Sequence, residues 1–515
     1  MLKRFRFHRF HYPQALLEML SLLSVCTLLI FLVAMLGFIS VKGSQYFFPQ
    51  QIHKVTLMYP NQQTEVFYQA SSLDSTDLKQ QLDERYQGQF LAEAESRPQV
   101  SIAPEPDVYR VVSQSGKTYY GTYYALVSLN NERLALSELD NLKNTVDLLQ
   151  GNLREIQLGR LLDLHREIAV FDNAGVAQNA PARTALMLEF TRWQSAANEL
   201  ESQIRQYRLE FVGANSDIFS VGLSELQQLY QPNQLSLWQK ITFTFNKVWQ
   251  FLSDTPKQAS TAGGVFPAIF GTVLMVILMA VVVAPFGIIA AVYLHEYAPN
   301  NRLTSLIRIG ISNMAAVPSV VYGVFGLGFF VYVLGGSIDQ LFYAEQLPSP
   351  TFGTPGLLWA SLTMGLLTLP VVIVSAEEGL QRVPRGLREG SYALGATKFE
   401  TILRVVLPMA SPGMITGIIL AIARAAGEVA PLILVGAVKF APTLPVDNAF
   451  PFVHLERQFM HLGVFIYDGA FHSQTQTQSA SLMFATCMLL LIIVFLLNIS
   501  AILFRHKLRT RYERV

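Results

Sequence analysis

Charge is scarce in this sequence: only 15% of its 515 residues are Asp, Glu, Lys or Arg, and 51% are hydrophobic. A soluble domain usually carries about 25% charged residues. The shortage is concentrated in long uncharged apolar runs, which are typical of segments that cross a bilayer and contact membrane lipid. Because the formal net charge is only +1, the composition gives no support to a nucleic-acid partner.

Cysteine is nearly absent as well. The two thiols, Cys26 and Cys487, both lie inside apolar runs, which excludes a disulfide framework and a cysteine-rich metal site. Three histidines, His454, His461 and His472, share one loop at spacings that do not suggest metal ligands, and we expect them to be solvated. The sequence therefore predicts no metal site.

Six apolar runs are long enough to cross a hydrocarbon core of about 30 Å at about 1.5 Å per residue. They cover residues 16–41, 265–294, 311–334, 355–376, 405–437 and 480–504. The first run is longer than the apolar core of a signal peptide, about 7–15 residues, so we expect a retained span within a segment 1–41. The pattern predicts an all-α polytopic membrane protein with about six transmembrane helices.

Lysine and arginine are distributed unevenly between the two sides of these spans. The N-terminus, the segments 295–310 and 377–404, and the tail 505–515 are basic, whereas the loop 335–354 contains no Lys or Arg. Since basic loops stay in the cytoplasm, both termini are predicted to be cytoplasmic. Residues 42–264 then lie outside, and their length predicts a separate domain.

The first part of this external domain, about 52–127, alternates strand-like runs with polar turns. It includes a predicted hairpin over 108–112 and 119–120. Gly116, Lys117 and Thr118 resemble the end of a phosphate-binding loop. Such a loop needs a glycine five residues earlier, where this chain has Val111. We therefore predict a turn, with no cofactor bound by this chain.

The second part of the external domain has apolar residues at alternating spacings of three and four in two stretches. They are Leu139, Leu142, Val146, Leu149, Leu153 and Ile156, then Phe190, Trp193, Ala197, Leu200, Ile204, Tyr207 and Phe211. This pattern predicts an antiparallel coiled-coil hairpin over about 136–211, within an α+β domain. Its role stays open between a rigid spacer and a docking arm for an extracytoplasmic partner.

Between spans four and five lies a cytoplasmic segment, 377–404, with the pattern of two short helices. One helix is expected after Pro384, a sharp turn at Gly395, and a second helix over 397–404. A compact helix–turn–helix of this kind fits a groove on a soluble partner, although an ordinary amphipathic loop is the alternative.

This segment resembles the coupling loop of ABC importer permeases, on the basis of Glu389, Gly395, Leu407 and Pro408. Where the family has two alanines after the glutamate, this chain has two other small residues, Gly390 and Ser391. The resemblance implies a type I ABC importer permease core over 265–504 and an ATPase on a separate chain. The residues expected to contact that ATPase are Leu387, Glu389, Ala393, Gly395 and Ala396.

Span five contains two charged residues, Arg424 and Glu428, which are costly inside a membrane and therefore candidates for function. A spacing of four places them on one helix face. Pro431 cannot donate a backbone hydrogen bond, so it leaves the carbonyl of Gly427 free and predicts a local break beside the pair.

The stretch 424–432 resembles the A-type permease subunit of the phosphate-specific (Pst) ABC transporter, as do 295–299, 313–319 and 322–327. The resemblance covers about 265–504 and leaves the external domain outside it. It implies a non-catalytic pore subunit of the bacterial inner membrane that transports inorganic phosphate. The implied partners are a PstC-type permease subunit, a PstB-type ATPase dimer that uses ATP, and a PstS-type periplasmic phosphate-binding protein.

The chemistry of the span-five pair agrees with an anion pathway, because a guanidinium can donate two hydrogen bonds to phosphate. Arg424 would contact the ion and Glu428 would hold or weaken that contact; the alternative is a structural ion pair. Asn313 and Ser319 would line the path, or bond to neighbouring helices.

Two other functions fit parts of the sequence. One is a permease of the same architecture for molybdate, sulfate or a polyamine. The other is a membrane-anchored periplasmic sensor, against which the short tail after Phe504 argues. The cytoplasmic face shows no Ser-His-Asp or metal-ligand cluster, so an enzyme is not predicted.

Overall fold

The computed structural model describes residues 14–59, 64–71, 79, 99–113, 117–173, 180–256, 264–344, 349–441, 443–448, 450–471 and 477–512. The chain divides into two compact units. The first comprises Met1–Phe47 together with Val248–Val515, and the second comprises Phe48–Lys247.

Helices dominate the described residues. In chain order they are α1 (Gln14–Ser44), α2 (Leu139–Glu155), α3 (Leu162–Asn173), α4 (Pro181–Gln206), α5 (Leu237–Ser253), α6 (Phe266–Val292), α7 (Arg302–Met314), α8 (Ser319–Phe325), α9 (Gly336–Phe342), α10 (Leu357–Gln381), α11 (Arg385–Ala393), α12 (Lys398–Thr401), α13 (Leu407–Gly427), α14 (Ala430–Val435), α15 (Leu462–Phe471) and α16 (Thr477–Tyr512). Four π-helical segments continue helices of this series: Ile156–Leu161, Tyr293–Tyr297, Gly326–Gly335 and Ile402–Val406.

Strands occupy most of the rest of the regular structure. They are β1 (Gln51–Met58), β2 (Thr64–Ser71), β3 (Gln99–Pro104), β4 (Val108–Ser113), β5 (Thr118–Val127), β6 (Arg133–Leu134), β7 (Arg208–Val212), β8 (Ile218–Gly222), β9 (Leu226–Tyr230), β10 (Ala437–Val438) and β11 (Phe459–Met460).

Six helical stretches of the first unit are long and apolar enough to cross a membrane. They are Glu18–Ser44, Phe266–Tyr297, Ser319–Phe342, Leu357–Gln381, Lys398–Gly427 and Ala480–Leu503. The prediction of an α-helical polytopic protein with about six spans is thus confirmed for the described residues. The limits of the third and fifth spans were wrong. The third covers Ser319–Phe342 rather than 311–334, and the fifth covers Lys398–Gly427 rather than 405–437.

Small residues allow the central spans to approach closely. Ser375 and Gly379 of α10 face Gly413 and Gly417 of α13, each pair separated by one helical turn. A Cβ added to Gly413 would lie 2.5 Å from the Cα of Gly379, and one added to Gly417 would lie 2.7 Å from the Cβ of Ser375. Close backbone packing at such small residues is a major source of helix association in lipid.

We expect Gly413→Ala to destabilise the membrane core, because the new methyl group would collide with backbone that cannot rotate away. Overpacking of this kind costs about 1–3 kcal/mol. Gly328→Ala is the matched control, since no atom of the described residues lies within 4 Å of a Cβ at that position. Thermal unfolding of the detergent-purified protein should give a lower midpoint for the first variant only, and equal midpoints would contradict the packing described.

The second unit contains two antiparallel sheets. One has the strand order β2-β1-β3, and the other has the order β8-β7-β5-β4-β9 with β6 paired to β5. The predicted hairpin is confirmed, with Val112 paired to Thr118 and Val111 paired to Tyr119. Gly116 lies outside the described residues.

Helices α2, α3 and α4 belong to the same unit, and α4 packs against both of the others. The predicted end of the second arm was wrong. The helix stops at Gln206, and residues from Arg208 onward form β7. Leu209 and Phe211 are completely buried in that strand, so a period of two overrides the apparent heptad. The coiled coil itself stays a prediction.

Candidate functional site

The charged pair of span five lies at the point where the helix ends. Arg424 belongs to the last turn of α13, whereas Glu428 is the capping residue with extended backbone (φ −85°, ψ 133°). Our placement of both residues on one helix face was therefore wrong. The side chains still meet, with Arg424 Nε 3.6 Å from Glu428 Oε1.

This contact leaves the guanidinium loosely held. The Nε atom of Arg424 is buried and has no hydrogen-bond partner among the residues that the structure describes, because 3.6 Å is too long for a bond to the carboxylate. About a third of the Arg424 side chain, 37%, is nevertheless accessible to solvent. An arginine in this state has donors available to an entering anion.

The break beside the pair separates α13 from α14. Residues Glu428 and Val429 connect the two helices, and Pro431 lies in the first turn of α14, where its missing N–H is not needed. The predicted local break is confirmed by these helix limits. Irregular backbone at membrane depth is tolerated where protein or a water-filled cavity surrounds it.

A second break lies between α7 and α8 and is flanked by Asn313 and Ser319. Asn313 is exposed near the end of α7, and Ser319 is the first residue of α8. The Tyr322 hydroxyl donates a 2.7 Å hydrogen bond to the Met314 carbonyl across this break. It therefore fixes the geometry of the connection.

The two breaks belong to elements that touch. A Cβ added to Gly323 of α8 would lie 2.7 Å from the Cα of Pro431 in α14. Within the described ranges, however, no hydrogen bond or ion pair joins Asn313 or Ser319 to Arg424 or Glu428. The structure brings the arginine and glutamate together but does not add the two smaller polar residues to that contact.

The predicted cytoplasmic segment has the expected form. Helix α11 ends at Ala393, Gly395 adopts the left-handed region at φ +86°, and Thr397 caps α12 through a capping box with Glu400. The residues expected to meet an ATPase lie at its surface: Leu387, Glu389, Ala393 and Gly395 are exposed and Ala396 is half-buried. Leu394 is 92% exposed, which is unusual for leucine and leaves an apolar surface to be covered.

We expect Gly395→Ala to weaken this turn, because a side chain in the left-handed region costs roughly 1–2 kcal/mol. A steric clash is not the cause, since no atom of the described part of the chain lies within 4 Å of a Cβ added to Gly395. Gly390→Ala, in the middle of α11, is the control and should be neutral or stabilising. Co-purification of the ATPase should fall for the first variant alone; equal yields would contradict the role given to this turn.

Glu296 belongs to the resembling stretch 295–299, but the sequence gives no indication of its contacts. It lies in the π-helical end of the second span, and its Oε1 is 3.0 Å from Arg388 Nη1 of α11 and 3.0 Å from His295 Nδ1. The Glu296 carboxylate is 7% exposed and the Arg388 side chain 18%. This nearly buried ion pair connects the segment 377–404 to the second span.

One further cation, Lys398, and a second contact of Arg388 strengthen the same attachment. Lys398 of α12 donates to the Glu296 backbone carbonyl and lies 4.6 Å from the centre of the Tyr297 ring. Arg388 also donates a 2.8 Å hydrogen bond to the Leu380 carbonyl near the end of α10. Helices α11 and α12 are therefore fixed to the ends of two spans, and sequence spacing gave no signal for contacts across about 100 residues.

The loop histidines differ from the prediction of solvated side chains. His454 is 6% exposed and bonds Asp447 and Glu456 at 3.0 Å each, and His461 is fully buried. Burial lowers the pKa of His461 to about 4, so it is neutral at physiological pH. His472 lies outside the described residues.

Comparison with known families places the first unit among transport proteins. Residues 283–510 match the profile of the family described as "Binding-protein-dependent transport system inner membrane component". One solved structure, of the inward-facing MetNI methionine ABC transporter, aligns with 47% of this chain and 94% of its own, at 19% identity and a TM-score of 0.36.

Curated relatives are similar over the same region. The phosphate transport system permease protein PstA 1 of Mycobacterium tuberculosis (strain CDC 1551 / Oshkosh) is 40% identical over 176 residues, which are 34% of this chain and 52% of the relative. The PstA protein of Yersinia pestis is 32% identical over 252 residues, 49% of this chain and 75% of the relative. The chain spans about half the length of the first curated relatives it matches.

The six apolar helices and the broken fifth span, together with the family match over residues 283–510, define a multi-pass membrane permease of a binding-protein-dependent transport system. Within that class, the chain belongs to the PstA family of phosphate transport system permease proteins.

Proposed function

We propose that this chain is the permease subunit of an ATP-driven phosphate importer and forms half of its translocation pathway. Membership of the PstA family carries the proposal, since its relatives are phosphate transport system permeases. The chain is a non-catalytic pore component, and ATP is bound and hydrolysed by a partner.

The pathway runs past the ion pair at the end of α13. Phosphate is an oxyanion, and a guanidinium donates paired hydrogen bonds that match its geometry. Among the described residues, the buried Nε of Arg424 has no hydrogen-bond partner and can donate to the ion. Glu428 lies close enough to pair with the guanidinium again when the ion leaves. A contact that can be exchanged in this way suits conduction, because a site that binds too tightly would not release its ion. Asn313 and Ser319 border the path from the neighbouring break.

The exposed surface of α11 and α12 is the docking site for the ATPase. A short helix pair with exposed apolar and acidic residues fits a groove on a soluble subunit. Leu387, Glu389 and Ala393 supply that surface, and Gly395 and Ala396 form the turn at its edge. The ion pair between Glu296 and Arg388 passes the motion of this helix pair to the second span.

The complex contains a PstC-type permease subunit, a PstB-type ATPase dimer and a PstS-type phosphate-binding protein. Both termini lie in the cytoplasm of a bacterial cell, because the segments 295–310 and 377–404 are basic. Residues 42–264 then form a periplasmic domain. Its helices α2 to α4 form a coiled-coil arm. This arm serves as a rigid spacer or as the docking site for an extracytoplasmic partner.

Uptake of radiolabelled orthophosphate tests the substrate. Cells that lack other phosphate transporters should accumulate the label at low external concentration only when this chain and its partners are present. Unlabelled phosphate should compete, whereas molybdate, sulfate and polyamines should not. Uptake that does not depend on the chain would overturn the phosphate assignment.

A further inference from the structure

Helix α5, just before the second span, carries an apolar stripe that none of the described residues covers. Trp238, Ile241, Phe245 and Trp249 are spaced three and four apart, and Trp238, Phe245 and Trp249 are 79%, 69% and 65% exposed. Residues at this spacing share one helix face. Two of the four tryptophans of the whole chain lie at the two ends of the stripe.

The opposite face of the same helix is occupied by protein. Phe243 packs on Tyr230, with 4.6 Å between the ring centres, and Phe251 packs on Phe47 at 5.3 Å. Between them on this face is Lys247, whose pKa is lowered to about 7 by burial and by the charge of Arg110. The helix is therefore held by one face, and the exposed stripe is its free side.

The last turn of α5 lies beside the ends of two membrane spans. Phe251 contacts Tyr46 and Phe47, which follow directly after the end of α1 at Ser44. The Phe251 carbonyl also accepts a 2.8 Å hydrogen bond from the N–H of Val265, the residue before α6. The C-terminal end of α5 therefore lies at the membrane surface where α1 ends and α6 begins.

The stripe is too short to cross a membrane. Its two tryptophans are eleven positions apart. This spacing corresponds to about 16 Å along a helix, against about 30 Å of hydrocarbon. Polar residues on the flanks, including Gln239, Asn246 and Gln250, also exclude a spanning position. An amphipathic helix with aromatic residues on one side is typical of the membrane–water boundary, where tryptophan concentrates.

We propose that α5 lies in the plane of the membrane surface at which α1 ends and α6 begins, with Trp238, Ile241, Phe245 and Trp249 inserted among the lipid headgroups and upper acyl chains. The occupant of the stripe is lipid rather than a protein, because the helix is fixed at the end of two spans and its tryptophans face away from the chain. The helix then sets the depth of the first unit in the bilayer.

Quenching of tryptophan fluorescence by brominated lipid tests this position. The assembled permease complex is reconstituted into vesicles of phosphatidylethanolamine and phosphatidylglycerol with or without phosphatidylcholine brominated near the headgroup end of its chains. We expect strong quenching, reduced at least about twofold in Trp238→Phe/Trp249→Phe, which keeps the stripe apolar and avoids a folding defect. Trp193→Phe, in α4, is the matched control and should leave the lipid-dependent quenching unchanged.

Acrylamide quenching of the same samples separates lipid from the other possible surroundings. If the stripe is in lipid, Trp238 and Trp249 become less accessible to acrylamide when the complex passes from detergent into vesicles. If they remain fully accessible, the stripe faces water and the proposal fails. If neither quencher reaches them in any sample, a partner subunit covers the stripe and the proposal fails as well.

Discussion

Replacing Arg424 with alanine should reduce phosphate uptake roughly tenfold to a hundredfold while the chain remains in the membrane at its normal abundance. The guanidinium is the cation that the broken fifth span presents, with its Nε unbonded and its carboxylate neighbour 3.6 Å away. Hydrogen bonds to charged groups contribute about 1.5–3 kcal/mol each. At about 1.4 kcal/mol per factor of ten, the loss of one such contact corresponds to the range given.

The expected decrease distinguishes a pathway residue from a structural ion pair. Arg424→Lys keeps the charge but not the paired donors, so its uptake should lie between those of wild type and the alanine variant. If the pair is purely structural, removing both charges together should restore the phosphate uptake that is lost when only one charge is removed. Uptake that recovers in Arg424→Ala/Glu428→Ala, or that stays normal in Arg424→Ala, would contradict the transport role.

Replacing Glu296 with glutamine should separate ATP hydrolysis from transport. The carboxylate holds Arg388 at 3.0 Å with both side chains largely buried, so the variant loses the main charged attachment of α11 to the second span. Breaking a buried ion pair costs about 3–5 kcal/mol at most, and the partial exposure of Arg388 reduces that figure. We expect the reconstituted complex to keep its basal ATPase activity while phosphate uptake falls about tenfold or more.

The matched control for this experiment is Glu378→Gln. Glu378 is an exposed acidic residue in the last turn of α10, close to the Leu380 carbonyl that Arg388 contacts. Its replacement should change neither ATP hydrolysis nor phosphate uptake. The charge exchange Glu296→Arg/Arg388→Glu should recover part of the uptake, because it restores the pair with reversed polarity. If Glu296→Gln lowers ATPase activity and uptake in equal proportion, the pair stabilises the fold without transmitting motion.

The sequence predicted the core of this protein well because the bilayer imposes a strong local rule. Every backbone polar group in lipid must be bonded within its own segment, so an apolar run of sufficient length becomes a helix. The six spans follow from that rule, and the residues that the structure describes contain the same number of candidate spans. The break near Pro431 and the left-handed turn at Gly395 were also predictable, since both depend on the chemistry of single residues.

The errors arose where two patterns competed or where a span was interrupted. Phe211 continues the apolar spacing of the preceding heptads, but it lies in β7 and is completely buried there. The local sequence does not indicate the sheet into which this strand packs. Likewise, Glu428 was placed on the helix of Arg424 from spacing alone, whereas the chain becomes extended at that residue. A periodicity argument assumes that the helix continues, and it fails where the helix ends.

The sequence by itself determined the number of candidate membrane spans among the described residues, the left-handed turn at Gly395 and the identity of the charged residues in span five. Only the tertiary structure decided which charges meet. Glu296 and Arg388 are 92 positions apart in the sequence, but their side-chain atoms are 3.0 Å apart in the structure. Likewise, only the packing of Phe251 on Phe47 shows that α5 ends beside the end of α1. The physical reason is that hydrophobic length and backbone chemistry are local properties, whereas an ion pair or an anchored helix depends on how distant segments pack.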